Sequence, residues 1–303
     1  MTSTEGASPK YRNFDAWPTR DVVSALVEAN WRAVAAVHSK TEEFAGVIDA
    51  ATERLQSSKN SRIIYAGAGT SGRLASLDVA ELFPTYSWSR DRSLSLEADC
   101  DPEFLAGVSA AEDSTELAER LFRATKVCST DVVVGIAASG NTPYTKKMLE
   151  LAKDVGALTI AISNNEGGTI LDAAEYSLVF STGEEVLPGS TRLVSGTAQK
   201  IFLNTFSTAV MTKLGRVVNG RMVCMDPGNK KLHERAISII ADVTNSSKVV
   251  AADLFGRSRN SIPHALLMSR GLSFDQADDV LVENDGAVKQ PYLDLSQQEG
   301  SAG

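Results

Sequence analysis

Three short stretches of this chain place glycines and side-chain hydroxyls together where a strand pattern gives way to a helix pattern. Gly67-Ala68-Gly69-Thr70-Ser71-Gly72 follows the run RIIYA, and Ala137-Ala138-Ser139-Gly140-Asn141-Thr142-Pro143 carries the end of DVVVGIAA into the next helix. In the second stretch Pro143 suits the first helical position and Thr142 or Asn141 the cap. Gly189-Ser190-Thr191-Arg192 is a third hydroxyl-rich helix start. First-turn N–H groups and the positive end of the helix dipole converge at such places. Thr70, Ser71, Ser139, Gly140, Asn141, Thr142, Ser190 and Thr191 are therefore candidates to bind the oxygens of a small phosphate ester. Two other readings stand beside this one. The hydroxyls can simply cap helices. The first stretch also satisfies G-x-G-x-x-G, with Glu97 beyond the next strand as a ribose partner, a dinucleotide pattern whose spacing here is slightly long. Recurrence of the hydroxyl–glycine loop after a second strand favours the phosphate. For proton transfer the candidates are Glu81 and Glu112. By residue type alone, Glu81 reads as a helix-end carboxylate and Glu112 as a first-turn residue favoured by the dipole.

The elements that must position these residues alternate. Residues 1 to about 19 read as extended, and helices follow from Thr19 and through FAGVIDAATERL. RIIYA is a strand, and the helix that opens at Ser71 must stop near Pro84. SLSLE (93–97), DVVVGIAA (131–138), ALTIAIS (157–163) and YSLVFS (176–181) are further strands. Between them lie helices, one over EDSTELAERLFRATKV and one from Pro143, and a long apolar helix runs from Thr191 to Leu214. Alternation of this kind predicts an α/β fold: a parallel sheet with helices on both faces, in the flavodoxin-like manner. From Lys230 onward only helical periodicity remains, and QQEGSAG reads as a frayed end. The expected organisation is an N-terminal segment over 1–58, a binding domain over 59–244 and a small helical unit over 245–303.

With 303 residues, 43% of them apolar, the chain can bury a substantial core. A net charge of −8, with both signs interspersed, argues against nucleic acid as a partner, whereas a local nest of N–H groups can still bind a small anion. Cys100, Cys128 and Cys224 form no short-spaced pair, and His38, His233 and His264 lie far apart, so neither a metal nor a disulfide framework is expected. The N-terminal residues lack a secretory pattern, and no run of 18 apolar residues occurs, so the expected setting is the cytoplasm, without membrane association.

At these residues the chain resembles the sugar isomerase (SIS) family, and within it the N-acetylmuramic acid 6-phosphate etherase branch, related to the glucokinase regulatory proteins. YAGAGTSGRLASLDVAELFPT, AAEDS, GIAASGNTPY and GEEVLPGSTRLVSGTAQKIFLNTFSTAVMTKLG carry the resemblance in order and spacing. TEGASPKYRNFDAWPTRDVV and GLSFDQADDVLVENDGAVKQ extend it to both ends. The resemblance implies cleavage of the D-lactyl ether of a sugar phosphate without a cofactor, with Glu81 as the acid and Glu112 as the second catalytic carboxylate. It also implies a homodimer, for which the apolar helix after Gly189 offers a surface. The alternatives are a non-catalytic sugar-phosphate-binding regulator, an aldose–ketose isomerase, or an SIS enzyme acting on a different amino-sugar phosphate. Three departures from the branch stand out: LFPT in place of CPPT, SLSLEADCDPEF in place of an IAGG-containing segment, and Asn141 where arginine is expected.

Overall fold

The computed structural model describes residues 3–100 and 111–301. Five strands, β1 (Ile63–Gly67), β2 (Ser93–Glu97), β3 (Val132–Ala137), β4 (Leu158–Ser163) and β5 (Tyr176–Val179), form one parallel sheet in the order β2-β1-β3-β4-β5. β1, β3 and β4 are buried at every position, which is why they read as unbroken apolar runs rather than as alternating ones. Strand order reverses between β1 and β3, whose carboxyl ends lie side by side with Gly67 opposite Ile136. Both of the first two hydroxyl loops leave the sheet there, at the switch point where open α/β sheets bind ligands.

Helices cover both faces. On one side α3 (Thr41–Gln56) buries Phe44, Val47, Ile48, Ala51 and Leu55 at helical spacing. Phe44 stacks on Phe202 at 5.0 Å, and Phe202 on Phe206 at 5.6 Å. Phe202 and Phe206 belong to the long helix Val194–Lys213. On the other side α6 (Pro143–Asp154) packs Tyr144, Met148, Leu149 and Ala152 against β3, and Tyr144 donates its hydroxyl to the Leu96 carbonyl at 3.1 Å. Among the described residues no helix is long and apolar enough to cross a membrane.

The chain divides into two compact units: Met1–Val79 with Asp91–Ser207, and Ala80–Arg90 with Thr208–Gly303. The N-terminal helices share the core of the sheet, and α9 (Lys230–Thr244) sends Ala236, Ile239, Ile240 and Val243 into the second core. That core also takes Leu254 and Phe255 from α10 (Lys248–Arg257) and Leu266 from α11 (Ile262–Met268).

Local expectations also shift. Residues 3–16 form 3₁₀ turns at Ser3–Glu5, Pro9–Tyr11 and Phe14–Ala16 rather than an extended segment, with Tyr11, Phe14 and Trp17 in successive ring contacts. The helix after the second strand, α5, spans Thr115–Thr125 because Ser114 caps it, accepting from Leu117 N at 3.1 Å. Glu112 therefore precedes this helix instead of sitting in its first turn. Of QQEGSAG, residues 297–301 belong to α13 (Lys289–Ser301).

The first long helix, α4 (Gly69–Tyr86), runs through Pro84 instead of stopping there. Its last carbonyls find partners in the second unit. Asp226 N–H donates to Pro84 O at 3.0 Å, Arg216 Nη1 to Tyr86 O at 2.9 Å, and Ser87 Oγ to Cys224 O at 2.6 Å. Arg216 also donates through Nη2 to Asp285 O at 2.6 Å and lies over the Trp88 ring. Burial pushes the Cys224 thiol up to about 11. Arg216→Ala should lower stability in urea unfolding by about 2–4 kcal/mol, because it strands buried carbonyls, and Arg216→Lys should restore little of it, a point charge being unable to span both acceptors.

Candidate functional site

Two glycines set the shape of the crevice. Gly72 lies so close to Gly67 and Glu97 that a Cβ there would come within 2.9 Å of Gly67 O. Gly140 has φ +75°, and a Cβ on it would stand 2.6 Å from Ser163 Oγ and 2.8 Å from Gly168 Cα. Only glycine combines that backbone with that clearance.

A chain of buried amides ties the two loops together. Ser71 donates its hydroxyl to Gln199 Oε1 at 2.9 Å, Gln199 Nε2 donates to Asn164 Oδ1 at 3.0 Å, and Asn164 Nδ2 donates to Phe180 O at 3.1 Å. Asn164 N–H also donates to Ala138 O at 3.1 Å, in the second loop. Ser71 thus serves first as a structural tie, its proton committed to Gln199. The N–H of Gly69 is likewise taken, by Asp99 Oδ2 at 2.9 Å, and Arg73 donates to the same oxygen at 3.1 Å. Thr70 and Ser71 remain as the N–H donors of that turn. The Thr70 hydroxyl makes no hydrogen bond among the described residues, and its methyl lies 3.4 Å from where a Cβ on Gly196 would stand.

In the second loop Ser139 Oγ accepts the N–H of Asn141 at 3.1 Å, which leaves its own proton free to donate. Asn141 is occupied at both ends of its amide. Nδ2 donates to Ser139 O at 3.2 Å, and Oδ1 accepts the N–H of Thr169 at 3.0 Å, at the start of α7 (Thr169–Asp172). Thr142 stands at the N-cap of α6 yet makes no capping bond, so its hydroxyl is not spent on the helix.

The third stretch is not the helix start expected at Thr191. Residues 191–193 form a turn, and α8 begins at Val194 (Val194–Lys213). The reason is Glu185, fully buried, which accepts Val194 N–H and Ser195 N–H, each at 2.9 Å, and the Ser195 hydroxyl at 2.7 Å. A carboxylate from upstream thus caps α8, and neither Ser190 nor Thr191 does so. Thr191 O receives Gly196 N–H at 2.8 Å, which keeps this turn near Thr70.

The structure thus gathers Thr70, Ser71, Ser139, Gly140, Asn141 and Thr142 at the carboxyl ends of adjacent strands, with Ser190 and Thr191 at the head of α8. Glu112 lies in the same unit, just before α5. It is exposed, yet its carboxyl is raised above the ordinary value, first by desolvation and then by Asp113 and Asp99. Access to water screens those neighbours, so the rise is modest. Glu81 is exposed, nearly three turns beyond Ser71 on α4, in the stretch that belongs to the second unit. Of the divergent segment 93–104, residues 101–104 lie outside the described residues. Sequence reasoning missed Asn164, Asn165, Glu185, Gln199 and Asp99; the polar pair Asn164-Asn165 directly after a buried strand was the available signal.

Comparison with known proteins bears on the family of the chain. A family model described as "Glucokinase regulatory protein N-terminal SIS domain" matches residues 46–153, and one described as "SIS domain" matches 108–209. An N-acetylmuramic acid 6-phosphate etherase of Enterococcus faecalis is 36% identical over 95% of this chain and 96% of its own length. One of Lactobacillus gasseri is 38% identical over 95% and 97%, and one of Deinococcus radiodurans 35% identical over 95% and 94%. The chain belongs to the N-acetylmuramic acid 6-phosphate etherase family. Within that family its sheet is the SIS fold anticipated from the sequence, followed by a helical C-terminal region.

Because its pKa is raised, Glu112 holds its proton more tightly in the folded chain. Its contribution favours the fold at low pH and is lost as pH rises through the folded value. A carbon-detected NMR titration should place the Glu112 midpoint above 4.5, and Asp113→Asn should bring it part of the way down, the desolvation remaining. A midpoint at or below 4.5 would contradict this account of its surroundings.

Proposed function

We propose that this chain cleaves the D-lactyl ether of N-acetylmuramic acid 6-phosphate, yielding N-acetylglucosamine 6-phosphate and D-lactate. It is thus a carbon–oxygen lyase of amino-sugar catabolism and peptidoglycan recycling, which we place in the cytoplasm. The observation that carries this reading is the 35–38% identity to etherases along some 95% of the chain. The crevice at the β1/β3 switch point supports it: an anion there meets the Thr70, Ser139 and Thr142 hydroxyls together with first-turn N–H groups. Ser71 contributes its N–H and the bond that holds the loop. Gly140 allows close approach of the ligand, and Asn141 fixes the turn. Ser190 and Thr191 extend the polar rim from the head of α8.

With the phosphate held, the open-chain sugar reacts in two stages. A base removes the C2 proton, which the C1 aldehyde acidifies, and the electron pair expels the C3 oxygen as an acid protonates it, releasing D-lactate. Water then adds to C3 of the unsaturated aldehyde, giving its proton to the group that protonated the leaving oxygen, while the base returns a proton to C2, which restores both groups. In this scheme Glu112 is the base, since a raised pKa makes its carboxylate the stronger acceptor, and Glu81, in the place of the family's acid, protonates the leaving oxygen.

Assay in heavy-oxygen water should give D-lactate and label at C3, and Glu81→Ala or Glu112→Ala should each lower kcat by about 10²–10⁴-fold while sugar-phosphate binding persists. Binding without turnover in the wild type would instead assign the chain to sugar-phosphate sensing.

We also propose a homodimer, with a changed surface. The helix after Gly189 buries Phe202, Phe206, Val210 and Met211 within its own chain, so it is not the free apolar face expected. A group of exposed apolar residues lies instead on α1 (Thr19–Ala29) and α2 (Trp31–His38): Val23, Val27, Trp31 and Val34, with Trp31 72% exposed. Their helical spacing makes a stripe that a second copy can cover isologously. Analytical ultracentrifugation should show a dimer that Trp31→Arg converts to monomer; a monomeric wild type would refute the assignment.

A further inference from the structure

The 3₁₀ turn Ser3–Glu5 is bonded into the crevice just described. Thr4 is completely buried. Its N–H and the Ser3 hydroxyl donate to Asn165 Oδ1 at 3.2 and 2.8 Å, and Asn165 Nδ2 donates back to Thr4 Oγ1 at 2.9 Å. The Thr4 carbonyl accepts the N–H of Gly189 at 3.0 Å. Each partner touches a ligand loop. Asn165 Nδ2 also donates to Ala138 O at 2.8 Å, the residue before Ser139, and Gly189 directly precedes Ser190 and Thr191. Glu5 closes on the same place, one carboxylate oxygen standing 2.8 Å from where a Cβ on Gly189 would be.

Asn165 is only 2% exposed, and its backbone is itself fixed by Ser163, whose Oγ donates to Asn165 O at 2.8 Å and accepts Asn165 N–H at 3.0 Å. Without Ser3 and Thr4 its Oδ1 would lose both of these donors, and Nδ2 one of its acceptors. The carboxyl end of the sheet is thus closed by a segment some 160 residues distant in sequence.

We infer that Thr4, together with Asn165, is a positioning residue for the ligand: the N-terminal turn clamps the loop after β3 and the turn before α8 in the arrangement that grips a phosphate ester. The inference rests on the sugar-phosphate reading of the crevice. Phosphate contacts are made equally in the ground and transition states, so loosening the clamp should act on KM rather than on kcat.

The test compares wild type with Thr4→Val, Thr4→Ser and a variant lacking Thr2–Glu5. It measures D-lactate release for kcat and KM, and amide hydrogen exchange over 138–142 and 187–193 with and without inorganic phosphate. Loss of one buried bond in Thr4→Val should raise KM about threefold and the deletion about tenfold, with kcat within about twofold of wild type. Thr4→Ser, which keeps the hydroxyl, should restore KM. In the deletion variant exchange should rise in both stretches, and protection by phosphate should weaken. An unchanged KM in the deletion variant, or kcat and thermal midpoint falling together at constant KM, would overturn the clamp. If wild type releases no D-lactate, the etherase reading fails by itself, and the exchange and phosphate arms still decide the clamp: unaltered exchange in both stretches rejects it.

Discussion

Asn164 is the junction on which the crevice depends. A parallel sheet ends in a row of loops whose backbone groups are buried by the helices that cover it, and each must find a partner. Asn164 supplies several at once: its N–H reaches the loop after β3, its carbonyl oxygen takes Gln199 from α8, and its amide nitrogen holds the end of β5. Through Gln199 the same junction reaches Ser71 and the loop after β1. Two loops after different strands are therefore held at a fixed separation by side chains that need not touch a ligand themselves. Buried amide networks of this kind are costly when incomplete and rigid when satisfied, which is what a site for a small, highly charged ligand requires.

Much of the fold was legible in the sequence because local signals and burial pointed the same way. β1, β3 and β4 are continuous apolar runs, each followed by a glycine-hydroxyl loop or a polar pair, and the strand–helix alternation leaves few topologies open. Errors arose where a distant residue overrode a local rule. Pro84 signals a helix end, yet Arg216 and Asp226 satisfy the carbonyls beyond it. Thr191 signals a helix start, yet Glu185 occupies the donors that would define one. Helical periodicity likewise says that α9 has an apolar face but not which core receives it.

The candidate site was legible by residue type but not by allegiance. Ser71, Asn141 and Thr142 all looked equally able to bind an anion or to cap a helix. The structure separates them: the Ser71 proton is committed to Gln199 and the Asn141 amide to its own loop and to Thr169, whereas Thr142 occupies a cap position without capping. No feature of a lone serine or threonine in a sequence carries that distinction, because much of it depends on partners distant in the chain, Gln199 for Ser71 and Thr169 for Asn141.

Charge completes the argument. A chain with a net charge of −8 can still hold a phosphate because the relevant field is local, set by helix starts and N–H groups within a few ångströms. That field is contested here by an internal anion. Asp99 accepts the Gly69 N–H and draws in Arg73, and its other oxygen is buried without a partner among the described residues. Asp99 also raises Glu112. One carboxylate thus occupies an N–H of the first glycine-hydroxyl turn while making Glu112 more basic. It lies in the segment that departs from the etherase pattern, so the departure falls on the electrostatics of the crevice and leaves the sheet that forms it intact.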